Sequence, residues 1–168
     1  IASHSAAVRS RRRGAIAPRS SSRYFTRRVG RVALVGEQLG QQLRGSEVIE
    51  LMSDLGGGKN TLTRGIVRGI GSADHVSSPT FTISKVYKSP RLYVHHFDFY
   101  RLNEPGLVAH ELADTLGQND AVTIIEWGEI VRGVLPEQRI TVELKRISES
   151  ERQISVTVSK DLEYVLPV

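Results

Sequence analysis

Residues 47–70 read EVIELMSDLGGGKNTLTRGIVRGI, and this stretch sets the fold. Glu47 to Met52 is a short apolar run of strand length. SDLGGGKNT, residues 53–61, follows as a glycine-rich turn. Beyond it, Leu62, Ile66, Val67 and Ile70 recur at helical spacing and predict one apolar helix face ending near Gly71. Strand, glycine-rich turn and helix in that order form the context of a phosphate cradle. Glycines let successive backbone N–H groups converge on phosphate oxygens, and the helix N-terminus adds a favourable dipole.

The full cradle pattern is G-x-x-x-x-G-K-[ST], in which the Lys neutralises the β/γ charge and the hydroxyl ligates Mg²⁺. Gly58 and Lys59 fit, whereas Ser53 stands at the first Gly and Asn60 at the Ser/Thr. Ser53 would cost on the order of 1 kcal/mol only if its backbone needed positive φ. Asn60 is the graver change. Its amide oxygen suits a hard cation but is neutral, longer than a hydroxyl and differently aimed. Thr61 offers a hydroxyl one residue late, turned by about 100° around the helix. On this motif alone, a phosphate cradle and a plain helix-capping turn are both open readings.

Upstream, Val32, Val35, Leu39 and Leu43 predict a helix from Arg28 to Arg44, with Gly45 as its stop. Downstream, Thr80–Tyr87 and Leu92–Tyr100 read as strands separated by a Lys-Ser-Pro turn. In the second strand Val94, His96, Asp98 and Tyr100 share one face, and His95, Phe97 and Phe99 the other. Pro105 to Leu116 suits a helix with Pro in its first turn. Ala121 to Ile125 is a buried-type strand running into Glu126 and Trp127. Ile140, Val142 and Leu144 alternate, as do Ile154, Val156 and Val158, predicting a terminal antiparallel hairpin. The early β–turn–α and the late hairpin point to an α/β protein with a mixed sheet.

The 168 residues suffice for one domain with a real core. Net charge is +5, but it is unevenly spread. Residues 1–31 hold nine Arg and no acid, while residues 32–168 hold 14 basic and 18 acidic residues, a net of −4. The domain proper is therefore expected at residues 28–168, behind a basic leader at 1–27. The leader's composition suits a disordered extension. A transit-type segment and an RNA-binding arm are the other readings. The absence of Cys excludes disulfide scaffolds and thiolate metal sites.

A nucleotide site also needs acids near the cation. Glu126, after the strand AVTII, is one candidate, and Asp98 is the other, as a water-orienting base or a support for the metal. Ser77, Ser78 and Thr80 supply hydroxyls on a loop constrained by Pro79. His95 and His96 read as strand-packing residues, and Trp127 as packing in the core or, as the alternative, near the site.

These pieces in this order resemble the TsaE family (also called YjeE), small P-loop ATPases of the tRNA threonylcarbamoyladenosine pathway. The family pattern runs GDLGAGKTT, SPTFT, HFDxYRL, IEW and a VLP turn. Here stand SDLGGGKNT at 53–61, SSPTFT at 77–82, HFDFYRL at 96–102, IIEW at 124–127 and VLP at 134–136. The resemblance spans about residues 28–158 and implies a single three-layer P-loop NTPase-like domain binding ATP with Mg²⁺. It implies that Gly56, Gly57, Gly58, Lys59, Asn60 and Thr61 wrap the phosphates, that Thr80 belongs to a switch-like loop, and that Arg152 lies near the nucleotide. Glu126 matches the Mg²⁺-associated acid and Asp98 an acid of hydrolysis, with Lys59 assisting. The family's Mg²⁺-ligating Thr falls on Asn60. A Thr that the family often has in the first helix falls on Val32. The partners implied are TsaD and TsaB, which modify adenosine 37 of tRNA, with tRNA met indirectly and in the cytoplasm. An organelle is the alternative location suggested by the leader. A degenerate cradle that binds the partners with little hydrolysis is the alternative function suggested by Ser53 and Asn60.

Overall fold

The computed structural model describes residues 19–26 and 30–166. Ten main elements follow one another: β1 (Arg19–Thr26), α1 (Gly30–Gln42), β2 (Val48–Met52), α2 (Lys59–Gly69), β3 (Ser84–Lys88), β4 (Tyr93–Asp98), α3 (Val108–Thr115), β5 (Ala121–Glu126), β6 (Ile140–Arg146) and β7 (Arg152–Ser159). Short 3₁₀ turns follow β5 at Gly128–Val131 and β7 at Lys160–Val165. The strands form one mixed sheet in the order β1-β7-β6-β2-β5-β4-β3. β6, β2, β5 and β4 run parallel, while β1–β7, β6–β7 and β3–β4 are antiparallel.

The strand alternation read from sequence divides the core as expected. Val94, Val122 and Ile124 join the helix face of α1 and α2, with Val32, Leu39, Leu62 and Ile66. Phe97, Phe99 and Ile125 point to the opposite face and pack with Leu112 of α3. The sheet is thus covered on both sides, as a central parallel sheet requires.

α1 and α2 meet backbone to backbone. A Cβ on Gly36 would lie 2.3 Å from the Leu62 carbonyl oxygen, and one on Gly65 2.1 Å from that of Ala33. Gly40 and Gly69 repeat the contact one turn on, against Ile66 O and Glu37 O. Such closeness admits no side chain, and it seats the apolar stripes of both helices on the sheet. Val32, at the family's helix Thr position, is fully buried there.

Three boundaries differ from the sequence reading. The strand expected from Thr80 begins at Ser84, because Thr82 and Ile83 donate their N–H groups to the Pro79 carbonyl in a turn (2.9 and 2.6 Å). The helix expected from Pro105 begins at Val108, since Gly106 takes φ +47°. The expected leader at 1–27 also changes, because Arg19–Thr26 forms β1 and pairs residue for residue with β7. Backbone pairing to the otherwise open edge of β7 supplies order without an apolar pattern, so the composition did not reveal it. The rest of the leader expectation, residues 1–18 and Arg27, lies outside the described residues. No helix among the described residues is long and apolar enough to cross a membrane.

Candidate phosphate and cation site

β2 delivers the chain to the carboxyl edge of the parallel sheet, where ligands of open α/β sheets bind. The turn that follows needs glycine at two points. Gly56 has φ +73°, and Gly58, the N-cap of α2, has φ +111°. These left-handed values are inexpensive only without a Cβ. Ser53 does not share them, so the missing first glycine imposes no backbone strain. Its Oγ instead occupies the space beside Gly57, only 1.7 Å from where a Cβ there would stand.

Lys59 opens α2 and is buried. Its Nζ donates to the carbonyls of Ser53 (3.2 Å) and Asp54 (3.3 Å), lies 3.9 Å from Glu126 Oε2, and sits 4.8 Å above the Trp127 ring. Asn60 and Thr61 follow on the first turn of α2, facing the same pocket.

The two acids arrive from neighbouring strands. Asp98 ends β4 and Glu126 ends β5, paired in parallel register. Both are buried. Asp98 Oδ2 accepts from the hydroxyls of Thr80 and Ser78 (3.1 Å for Ser78), and its Oδ1 accepts from the Tyr100 N–H at 3.0 Å. The loop before β3 is thereby tied to the carboxylate. Glu126 Oε1 accepts from His96 Nε2 at 2.9 Å.

Together these groups line a pocket of about 350 Å³ with walls from Leu55 to Thr61, Ser78, Thr80, Asp98, Tyr100, Glu126 and Trp127. Eleven of its thirteen lining residues have polar side chains or are glycines of the turn, which suits a charged guest. Among the described residues no group of three or more His, Asp or Glu is arranged to hold a metal ion by itself. The oxygen donors present, Asp98, Glu126 and the amide of Asn60, fit Mg²⁺ as it is usually held, by one or two carboxylates with phosphates and water completing the shell.

Gly56 to Thr61, Thr80, Asp98 and Glu126 therefore come together as the sequence led one to expect. Arg152 does not line this pocket. Its Nη1 donates to the carbonyls of Ser148 (3.0 Å), Glu149 (3.4 Å) and Glu151 (2.9 Å), closing the hairpin turn between β6 and β7. Trp127 meets both readings of it: it packs against the Phe97 and Phe99 cluster and also lines the pocket, its ring 5.1 Å from that of Tyr100. The left-handed backbone of Trp127 (φ +58°) turns it there, which strand periodicity cannot foresee. Tyr100 was placed on the face of Asp98, and that parity was the available signal for it.

Comparison with known proteins agrees with this fold. The model of the family "Threonylcarbamoyl adenosine biosynthesis protein TsaE" matches residues 26–154. The chain belongs to the TsaE family. Its TsaE relatives are proteins of tRNA threonylcarbamoyladenosine biosynthesis. That of Bacillus subtilis is 36% identical over 112 residues, covering 66% of this chain and 69% of the relative. That of Haemophilus influenzae is 39% identical over 97 residues, covering 58% of this chain and 61% of the relative. The crystal structure of Bacillus subtilis YdiB superposes with a TM-score of 0.70 at 27% identity, over 89% of this chain and 93% of that one. The TsaE match includes β2, the glycine turn, both acids and the start of β7.

Proposed function

We propose that this chain binds ATP with Mg²⁺ in the pocket and hydrolyses it slowly, as an accessory ATPase for threonylcarbamoylation of tRNA adenosine 37 with TsaD and TsaB. One observation carries the reading. The left-handed glycine turn, the Lys59 ammonium and the Asp98 and Glu126 carboxylates converge on a single pocket. In hydrolysis, water forms a bond to the γ-phosphorus as the bond to the β,γ-bridging oxygen breaks, giving ADP and phosphate. Backbone N–H groups of Gly56 to Asn60 would hold phosphate oxygens, and Lys59 would exchange two carbonyl acceptors for them. Asp98, fixed on both oxygens, would orient the water. Asn60 and Glu126 would hold Mg²⁺, which when bound neutralises charge on the β- and γ-phosphates. Arg152 stays near the hairpin turn and has no part in this scheme.

A second reading keeps the binding and loses the chemistry. Asn60, a neutral amide where a hydroxyl normally ligates Mg²⁺, favours a scaffold that binds TsaD–TsaB with little turnover.

The test is Mg·ATP affinity and phosphate release, with TsaD and TsaB present, for the native chain, Asn60→Thr and Lys59→Ala. Slow native turnover raised by Asn60→Thr supports the ATPase. Binding without any release, even in Asn60→Thr, supports the scaffold. No nucleotide binding by the native chain would defeat both.

A further inference from the structure

His96 is completely buried, yet it is not an apolar packing residue. Its Nε2 lies 2.9 Å from Glu126 Oε1. An ionised carboxylate only accepts hydrogen bonds, so Nε2 carries the proton and donates. The ring's other nitrogen, Nδ1, lies 3.4 Å from the Tyr87 hydroxyl. The Tyr87 O–H donates to the Ser77 carbonyl at 2.8 Å. Ser77 begins the loop whose Ser78 and Thr80 hydroxyls bind Asp98. Tyr87 of β3 thus stands between the loop, to which it is hydrogen-bonded, and the His96 ring of β4, which meets Glu126.

His96 and Lys59 divide the two oxygens of Glu126. Oε1 is held by His96, whereas Oε2 faces Lys59 at 3.9 Å on the pocket side. A carboxylate at a strand end has two side-chain torsions beyond χ1 that its backbone does not set. A donor on one oxygen aims the other. Groups that hydrogen-bond a ligating carboxylate orient it and tune its affinity for the metal.

We infer that His96 is a positioning residue, whose Nε2–H holds Glu126 Oε1 so that Oε2 is presented to a divalent cation accompanying the phosphates. The inference rests on the Mg·ATP reading above. Tyr87 packs against the ring and is itself bonded to the Ser77 carbonyl. His96 itself ligates nothing and meets no nucleotide.

The experiment measures binding of a β,γ-imido ATP analogue by calorimetry as Mg²⁺ is varied, including none, on the full chain. Native protein is compared with His96→Leu, His96→Gln and His96→Asn. A Gln amide reaches the position of Nε2, an Asn amide falls one carbon short, and Leu has no donor. The expected result for His96→Leu is a Mg²⁺ midpoint raised roughly tenfold or more, with Mg²⁺-free affinity within about twofold of native. His96→Gln should keep the midpoint within about threefold of native, because the donor is retained. A His96→Leu midpoint equal to the native one overturns the inference. So does a loss of Mg²⁺-free affinity as large as the midpoint shift, which marks general damage to the pocket. If circular dichroism shows that His96→Leu is unfolded, the Gln and Asn pair decides: a native-like Gln with a shifted Asn supports it, and equal midpoints overturn it. A native chain whose binding ignores Mg²⁺ overturns the cation reading and this inference together, an outcome separate from any difference among the His96 variants.

Discussion

Asp98 and Glu126 stand side by side at the ends of adjacent parallel strands, and each is buried with its own set of donors. Thr80, Ser78 and the Tyr100 N–H serve Asp98, while His96 and Lys59 serve Glu126. Two neighbouring carboxylates in a buried place repel, so each needs its own compensation. Lys59 is the shared part of that compensation, because it is divided among two carbonyls and one carboxylate. Lys59→Ala should weaken ATP binding by about 10- to 100-fold, the loss of one charge-assisted hydrogen bond of roughly 1.5–3 kcal/mol. Equilibrium titration checks this, and unchanged affinity would remove Lys59 from the site.

Asn60→Thr restores a hydroxyl at the first turn of α2. Turnover with the partner proteins present should rise by about tenfold, some 1.4 kcal/mol off the barrier. Phosphate release at saturating Mg·ATP measures it. If the two forms turn over equally fast, Asn60 does not impair the cation's coordination.

Trp127 is the single tryptophan and stands 4.8 Å from Lys59 Nζ. Withdrawal of that cation toward a phosphate changes the field at the indole. Intrinsic fluorescence should therefore shift on adding ATP and stay put in Lys59→Ala. A spectrum indifferent to ATP that binds by calorimetry would place the nucleotide elsewhere.

The contact between α1 and α2 predicts a stability effect remote from the pocket. Gly36→Ala puts a methyl group 2.3 Å from the Leu62 carbonyl oxygen and should cost about 1–3 kcal/mol, lowering Tm by several degrees. Gly133→Ala has nothing within 4 Å and should stay within about 0.5 kcal/mol of native. Thermal melts of the pair separate close packing from a generic loss of glycine.

Tyr164 supplies a pH signature. Its hydroxyl donates to Glu47 Oε1 at 2.7 Å, and burial, with that carboxylate, pushes its pKa from 10.0 up to about 12. A raised folded pKa means that this contribution to stability is complete below pH 10 and disappears as pH rises through about 12. Tyr164→Phe should be less stable than native at pH 8, and the gap should close between pH 10 and 12. Urea melts across that range check it. A constant gap would show that the ionisation is not linked to folding.

Much of this protein was legible in the order of its residues. Local patterns of period 3.6 and period 2 located α1, α2 and the β6–β7 hairpin, because those patterns arise from side chains a few residues apart. The glycine turn, Asp98 and Glu126 were legible as candidates because a phosphate and cation site would call for those residue types at strand ends. What needed tertiary structure depends on distant partners. The β1 pairing exists because β7 offers an open edge, and nothing in RSSSRYFT announces it. Arg152 turns to three carbonyls of the hairpin turn, and residue type alone does not show which acceptors a guanidinium will meet. Trp127 faces the cradle through one left-handed residue. His96 becomes a donor to Glu126 only when β4 and β5 lie in register, thirty residues apart in the chain. The chain's residues alone determined which chemistry was available, and the packing of the sheet decided which groups meet, because hydrogen bonds act over about 3 Å and carry no trace of sequence separation.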